Sequence, residues 1–106
     1  MKMHKFTIGL FDQDAKIQLI DTNAAMRRIT TIFCDIYKFL GITLINCYGA
    51  FTHEDGTQIF EPSIRVEVAT DEEIPAQEIA NILKSREGFN QEAIMYENPD
   101  GDVNFL

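Results

Sequence analysis

Asn23-Ala24-Ala25-Met26-Arg27-Arg28-Ile29-Thr30-Thr31-Ile32-Phe33-Cys34-Asp35-Ile36-Tyr37-Lys38-Phe39-Leu40 is the stretch against which the rest of the chain is read. Ala25/Met26, Ile29, Ile32/Phe33, Ile36 and Phe39/Leu40 recur at helical spacing on one stripe, while Arg27, Arg28, Thr31, Asp35 and Lys38 fall outside it. The pattern predicts an amphipathic helix over 23–40. Asp21-Thr22-Asn23 supplies N-cap chemistry before it, and Gly41 is the expected left-handed cap after it.

On either side the period changes from that of a helix to that of a strand. Phe6, Ile8 and Leu10 alternate with Lys5, Thr7 and Gly9, as in a half-buried strand, and Asp12-Gln13-Asp14 turns the chain. Ile17 and Leu19 then resume a short extended stretch. Residues 42–51 are β-rich, Asp55-Gly56 marks a hairpin, and the return strand runs to about residue 69 with Ile64, Val66 and Val68 on one side. Pro62 cannot donate to a ladder, which predicts an edge position or a bulge there. Asp71-Glu72-Glu73-Ile74-Pro75 is expected to open a second helix, striped by Ile79 and Ile82/Leu83 and ended by Gly88. Ala93–Tyr96 forms another strand, and Asn98-Pro99-Asp100-Gly101 turns it toward Val103-Asn104-Phe105. This order predicts an α+β, ferredoxin-like β-α-β-β-α-β fold with an antiparallel sheet, two helices on one face and a C-terminal β extension. At 106 residues it forms a single domain, residues 1–106.

The apolar share of 45% and charged share of 25% are those of a globular protein. No apolar run approaches a membrane span, and the first residues lack the apolar block of a signal peptide, so a cytoplasmic location without membrane contact is expected. Cys34 and Cys47 have no metal-ligand spacing and read as packing residues. The net charge of −8 is unevenly divided: residues 1–51 carry +2 and residues 52–106 carry −10. Such a field repels nucleic acid and favours basic partners.

Few residue patterns point to chemistry. Asp12-Gln13-Asp14 starts like a calcium loop, but Lys16 takes the next ligand position; Asp100-Gly101-Asp102 has its glycine misplaced, so no metal is expected. His4 falls at a terminus expected to fray and His53 in the hairpin loop, neither beside a nucleophile pattern. Gly9 lacks the glycine company of a phosphate loop. Paired carboxylates sit in exposed turns, where they stay ionised. Phe6, Phe11, Tyr48, Phe51 and Phe60 read as core rather than as a base-stacking platform. No catalytic residue and no cofactor is assigned.

What remains is recognition by a surface. Glu54, Asp55, Glu61, Glu67, Asp71, Glu72, Glu73 and Glu78 form the candidate partner-binding face, with Glu97, Asp100 and Asp102 extending it. Rows of carboxylates imitate a phosphate backbone and suit a basic channel.

Phe6-Thr7-Ile8-Gly9-Leu10-Phe11-Asp12-Gln13-Asp14, followed by a helix and a β-rich half, resembles a group of small mobile-element proteins. These are carried by phages, plasmids and conjugative elements of Gram-positive bacteria and start Ile-Gly-Leu-x-Asp-x-Asp. Gly88-Phe89-Asn90-Gln91-Glu92-Ala93-Ile94 is similar to the end of a family of ferredoxin-like domains. The resemblance implies a mobile-element origin and, by association, an anti-CRISPR or anti-restriction inhibitor. The expected function is therefore a non-enzymatic interaction protein that blocks a nucleic-acid-binding effector, such as an RNA-guided nuclease, through its acidic surface. The alternative is a ligand-binding or enzymatic ferredoxin-like dimer, with a pocket between sheet and helices lined by Tyr48, Phe51 and Tyr96. A homo-oligomer built by edge-strand pairing is a third reading.

Overall fold

The computed structural model describes residues 1–52 and 55–106. Strands β1 (Lys2–Gly9), β2 (Ile42–Thr52), β3 (Gln58–Thr70), β4 (Met95–Glu97) and β5 (Val103–Phe105) form one sheet in the order β2-β3-β1-β4-β5. Every neighbouring pair is antiparallel. With β3 between them, β1 and β2 run parallel to each other, and β3 and β4 do the same around β1. This is the split βαβ arrangement expected from the sequence, with β5 added beyond β4.

Alternation decides which face is buried. His4, Phe6, Ile8 and Leu10 on β1 share a face with Ile64, Val66 and Val68 on β3 and Tyr96 on β4, and all are buried. Helix α1 (Thr22–Thr30) sets Ala25 and Ile29 against this face, and α2 (Ala76–Lys84) adds Ile79, Ala80 and Leu83. Phe6 lies at the centre, with its ring 5.4 Å from Phe33 edge-on and 4.8 Å from Tyr96. Among the described residues, the other face of the sheet carries no helix. No helix among the described residues is long and apolar enough to cross a membrane.

The first helix departs from its stripe. After Thr30 it widens into a π-helical segment, Thr31–Ile36, with the Tyr37 N–H bonded back to the Ile32 carbonyl at 3.1 Å. An α-helical stripe would have buried Ile36 and Leu40; instead Ile36 is 57% exposed and Leu40 fully so, while Phe33 is buried and Phe39 packs on the core. The left-handed turn comes at Lys38, with φ 62°, rather than at Gly41. Asp21 caps the start as expected, its carboxylate accepting the Ala24 N–H.

Three further details differ from the pattern reading. Helix α2 begins only after Pro75, so Asp71, Glu72 and Glu73 lie in the preceding loop and only Glu78 is in the first turn. The helix ends at Lys84, before Gly88, whose φ is not left-handed. Glycine is needed there for close approach: a Cβ at residue 88 would lie 2.3 Å from the Ile82 carbonyl oxygen. Pro62 lies in a strand with neighbours on both sides, yet β1 has ended beside it. Its carbonyl accepts the Leu10 N–H at 2.9 Å, so its missing N–H faces a local edge. From there the β2–β3 hairpin continues as a two-stranded arm. Tyr48 and Phe60, read as core from sequence, are 77% and 66% exposed on it because no helix among the described residues reaches that far.

Gly88→Ala is expected to destabilise the fold by roughly 1–3 kcal/mol through overpacking against helix carbonyls, read as a shift in the urea midpoint at unchanged slope.

Candidate functional site

Four segments converge at one end of the sheet. The start of β1 brings Lys2 and His4, the loop after β3 brings Glu72, Glu73 and Ile74, β4 brings Tyr96, and the following turn brings Asn98, Pro99 and Asp100. They enclose an open cleft of about 200 Å³. His4 occupies the apolar phase of β1, so alternation carries its ring inward. There it stacks on Tyr96 at 6.0 Å, and its Nδ1 shares a 2.6 Å hydrogen bond with the Tyr96 hydroxyl. Its Nε2 is buried without a partner, the one such side-chain atom among the described residues. In either tautomer this nitrogen is left with an unmet donor or lone pair.

The electrostatics keep both rings neutral. Burial, helped by Lys2, holds the His4 imidazole below its ordinary value, with Glu73 opposing. Burial and then the Glu73 charge push the Tyr96 phenol up. The cleft thus offers a neutral, hydrogen-bonded imidazole–phenol pair beside three carboxylates, those of Glu72, Glu73 and Asp100. No group of three or more His, Cys, Asp or Glu able to hold a metal occurs among the described residues.

The eight carboxylates expected to form one face are distributed as follows. Glu72 and Glu73 line this cleft with Asp100. Asp71 lies in the same loop and pairs with the N-terminal ammonium at 3.3 Å. Asp55 lies in the β2–β3 turn, with the 13 residues of β3, about 40 Å of strand, between it and this end of the sheet. Glu61 and Glu67 project from the open face of the sheet, whereas Glu78 is on the helix layer, accepting a 2.6 Å bond from the Tyr37 hydroxyl. Glu54 lies outside the described residues. Glu61 is half-buried: its carboxylate crosses over Gly9, where a Cβ would lie within 2.5 Å of it, and accepts the Phe11 N–H at 2.9 Å. Burial pushes this carboxyl up, and the Phe11 hydrogen bond works against the shift.

His4 is the residue that reading the sequence passed over as a site, whereas Tyr96 was expected to line a pocket, with other partners than those it has here. His4 was expected at a fraying terminus, but its eight-residue strand pairs with β3 along its whole length. The signal present was its phase, two residues before Phe6 in the alternation. The pocket expected from Tyr48, Phe51 and Tyr96 is not formed as read: Tyr48 is exposed on the arm, the Phe51 side chain lies outside the described residues, and the space between sheet and helices is filled by core.

No family model and no curated protein matches the chain. Its structure is similar to that of a phage SAM lyase in complex with S-methyl-5'-thioadenosine. The TM-score is 0.68 at 18% identity, covering 98% of this chain and 87% of that one. It is likewise similar to a phage SAM lyase in the apo state, with a TM-score of 0.66 at 18% identity over 98% and 86% of the two chains. The likeness shows the shared α+β fold. It also overturns the expectation of a non-enzymatic, anti-CRISPR-like inhibitor. The solved structures similar to it over nearly the whole chain are phage SAM lyases, one of them in complex with S-methyl-5'-thioadenosine, and not inhibitors.

With the folded-state pKa of His4 depressed, the unfolded chain binds more protons across the window between that value and the ordinary one near 6.5. Stability should therefore fall as pH drops through that window and be unaffected by this group above it. Thermal melts from about pH 8 to about pH 5 are expected to show this fall in the natural chain and a smaller one in His4→Gln.

Proposed function

We propose that the chain binds a sulfonium nucleoside of the S-adenosylmethionine class at the His4–Tyr96 cleft and acts on it as a lyase. The buried, unpartnered Nε2 of His4 in the wall of that cleft carries this reading. A buried polar atom without a partner costs about 1–3 kcal/mol, and a ligand that meets it recovers that energy on binding. The likeness to phage SAM lyases supports the same reading, as does the mobile-element resemblance of Ile8-Gly9-Leu10-Phe11-Asp12-Gln13-Asp14.

The charge of the cleft selects the ligand's cationic end. Glu72, Glu73 and Asp100 outnumber Lys2, which favours a cation. At about 200 Å³ the cleft holds part of such a molecule, and the sulfonium with its amino-acid arm is the part that its charges complement. Formation of S-methyl-5'-thioadenosine requires the bond between sulfur and the amino-acid carbon to break, with its electron pair passing to sulfur while the substrate's own carboxylate oxygen bonds to that carbon and closes a lactone, so that no other reactant is consumed. The positive charge is lost as the neutral thioether leaves. His4 and Tyr96 contribute a neutral acid–base pair at the position where a substrate proton or carboxylate is met.

The test is incubation of the purified chain with S-adenosylmethionine, with S-methyl-5'-thioadenosine followed by mass spectrometry. His4→Gln and Tyr96→Phe are each expected to lower the rate by roughly tenfold or more, equivalent to about 1.4 kcal/mol, while the fold is retained by circular dichroism. A natural chain that neither binds nor consumes the sulfonium compound sinks the reading.

A further inference from the structure

A second cleft, of about 210 Å³, lies at the other end of β1, beside Leu10. It is bounded by α1, by the turn after β1 and by the loop after α2. Arg28 of α1 is fixed in its wall: its guanidinium lies 5.6 Å over the Phe89 ring, and one of its N–H groups is donated to the Gly88 carbonyl. No carboxylate ion-pairs with Arg28 among the described residues, so the rest of its donor fork is left unused. The acid within the cleft, Asp12, is already satisfied. One of its oxygens accepts the Ala15 and Asp14 N–H groups, and the other accepts from the Asn90 side chain. Asn90 holds the rim from a left-handed backbone, φ 47°, a conformation that costs a non-glycine residue energy and that its side-chain bonds to the turn after β1 maintain. Arg86 stands at the rim, in a loose 4.0 Å pair with Asp14. The remaining walls are apolar: Leu10 is buried, Ile20 packs on the core, and Leu19 is 63% exposed with nothing over it.

A stacked guanidinium with an open fork beside an uncovered leucine calls for a ligand that carries both an anionic and an apolar part. We infer that this cleft is a binding site for a small organic carboxylate with an apolar body, held by Arg28 and covered by Leu19 and Phe89. Stacking fixes the plane of the fork before the ligand arrives, and a planar carboxylate matches that fork with two parallel hydrogen bonds. The volume suits a molecule of about ten non-hydrogen atoms, well below a drug-sized ligand. The site shares no residue with the His4 cleft and does not depend on the reading of that cleft.

The experiment is an amide NMR titration of the full chain with benzoate, neutral benzamide and inorganic phosphate in separate arms. Benzoate is expected to give saturable shifts confined to residues 10–20, 28 and 85–91, in the millimolar range usual for fragments of about this size. Benzamide and phosphate should each bind at least roughly tenfold more weakly, since one lacks the charge and the other the apolar body. Arg28→Lys keeps the charge and removes the fork, so it should weaken benzoate by a similar factor. Leu19→Ser is an exposed change that leaves folding intact and should weaken benzoate several-fold. Equal binding of benzamide or phosphate, undiminished binding in both variants, or no saturable shift from benzoate would overturn the proposal.

Discussion

The eight-pair antiparallel ladder between β1 and β3, from Lys2↔Thr70 to Gly9↔Ser63, is the constraint from which most of the molecule follows. Because side chains alternate, setting Phe6 opposite Val66 and Ile8 opposite Ile64 commits both strands to one buried face. A slip of one residue would move that whole set to the open side. The ladder also makes β1 central, with β4 on its free edge, so that Phe6 meets Tyr96 as well as Phe33.

Both ends of the ladder have consequences. At its start, the phase that buries Phe6 also buries His4, and β4 brings the Tyr96 hydroxyl to its Nδ1. At its finish, β1 ends opposite Pro62, where the strand partner has no N–H to offer, and the chain turns away through Leu10 and Phe11. Glu61 crosses the space left by Gly9 to hold the Phe11 N–H, and Asp12 and Asn90 tie that turn to the loop after α2. The two clefts are therefore the two ends of one strand, shaped by the same register.

Much of the fold was legible in local patterns. The alternation at Phe6-Ile8-Leu10, the Asp55-Gly56 turn and the Asp21 cap all report short-range physics that tertiary contacts left in place. The helix over 23–40 was legible only in part. Its period was helical throughout, with Phe33, Ile36, Phe39 and Leu40 on one stripe, but the segment widens into a π-helix in which Phe33 and Phe39 stay on the core while Ile36 and Leu40 are exposed. The acids at 71–73 have the composition of a helix start, yet they serve the loop that closes a cleft. Tyr48 and Phe60 have strand-core chemistry, but they extend past the helices that would cover them.

By itself the sequence determined the order of elements, the apolar phase of each strand and the negative charge of the second half, because these depend on neighbours along the chain. Tertiary structure decided which carboxylates meet, with Glu72, Glu73 and Asp100 brought beside His4 and the rest left at other places. It also turned a terminal histidine into a buried, half-satisfied one and left Arg28 stacked without an acid partner among the described residues. Those outcomes depend on contacts between residues up to 92 positions apart, such as His4 with Tyr96, and no local period encodes where such partners come to rest.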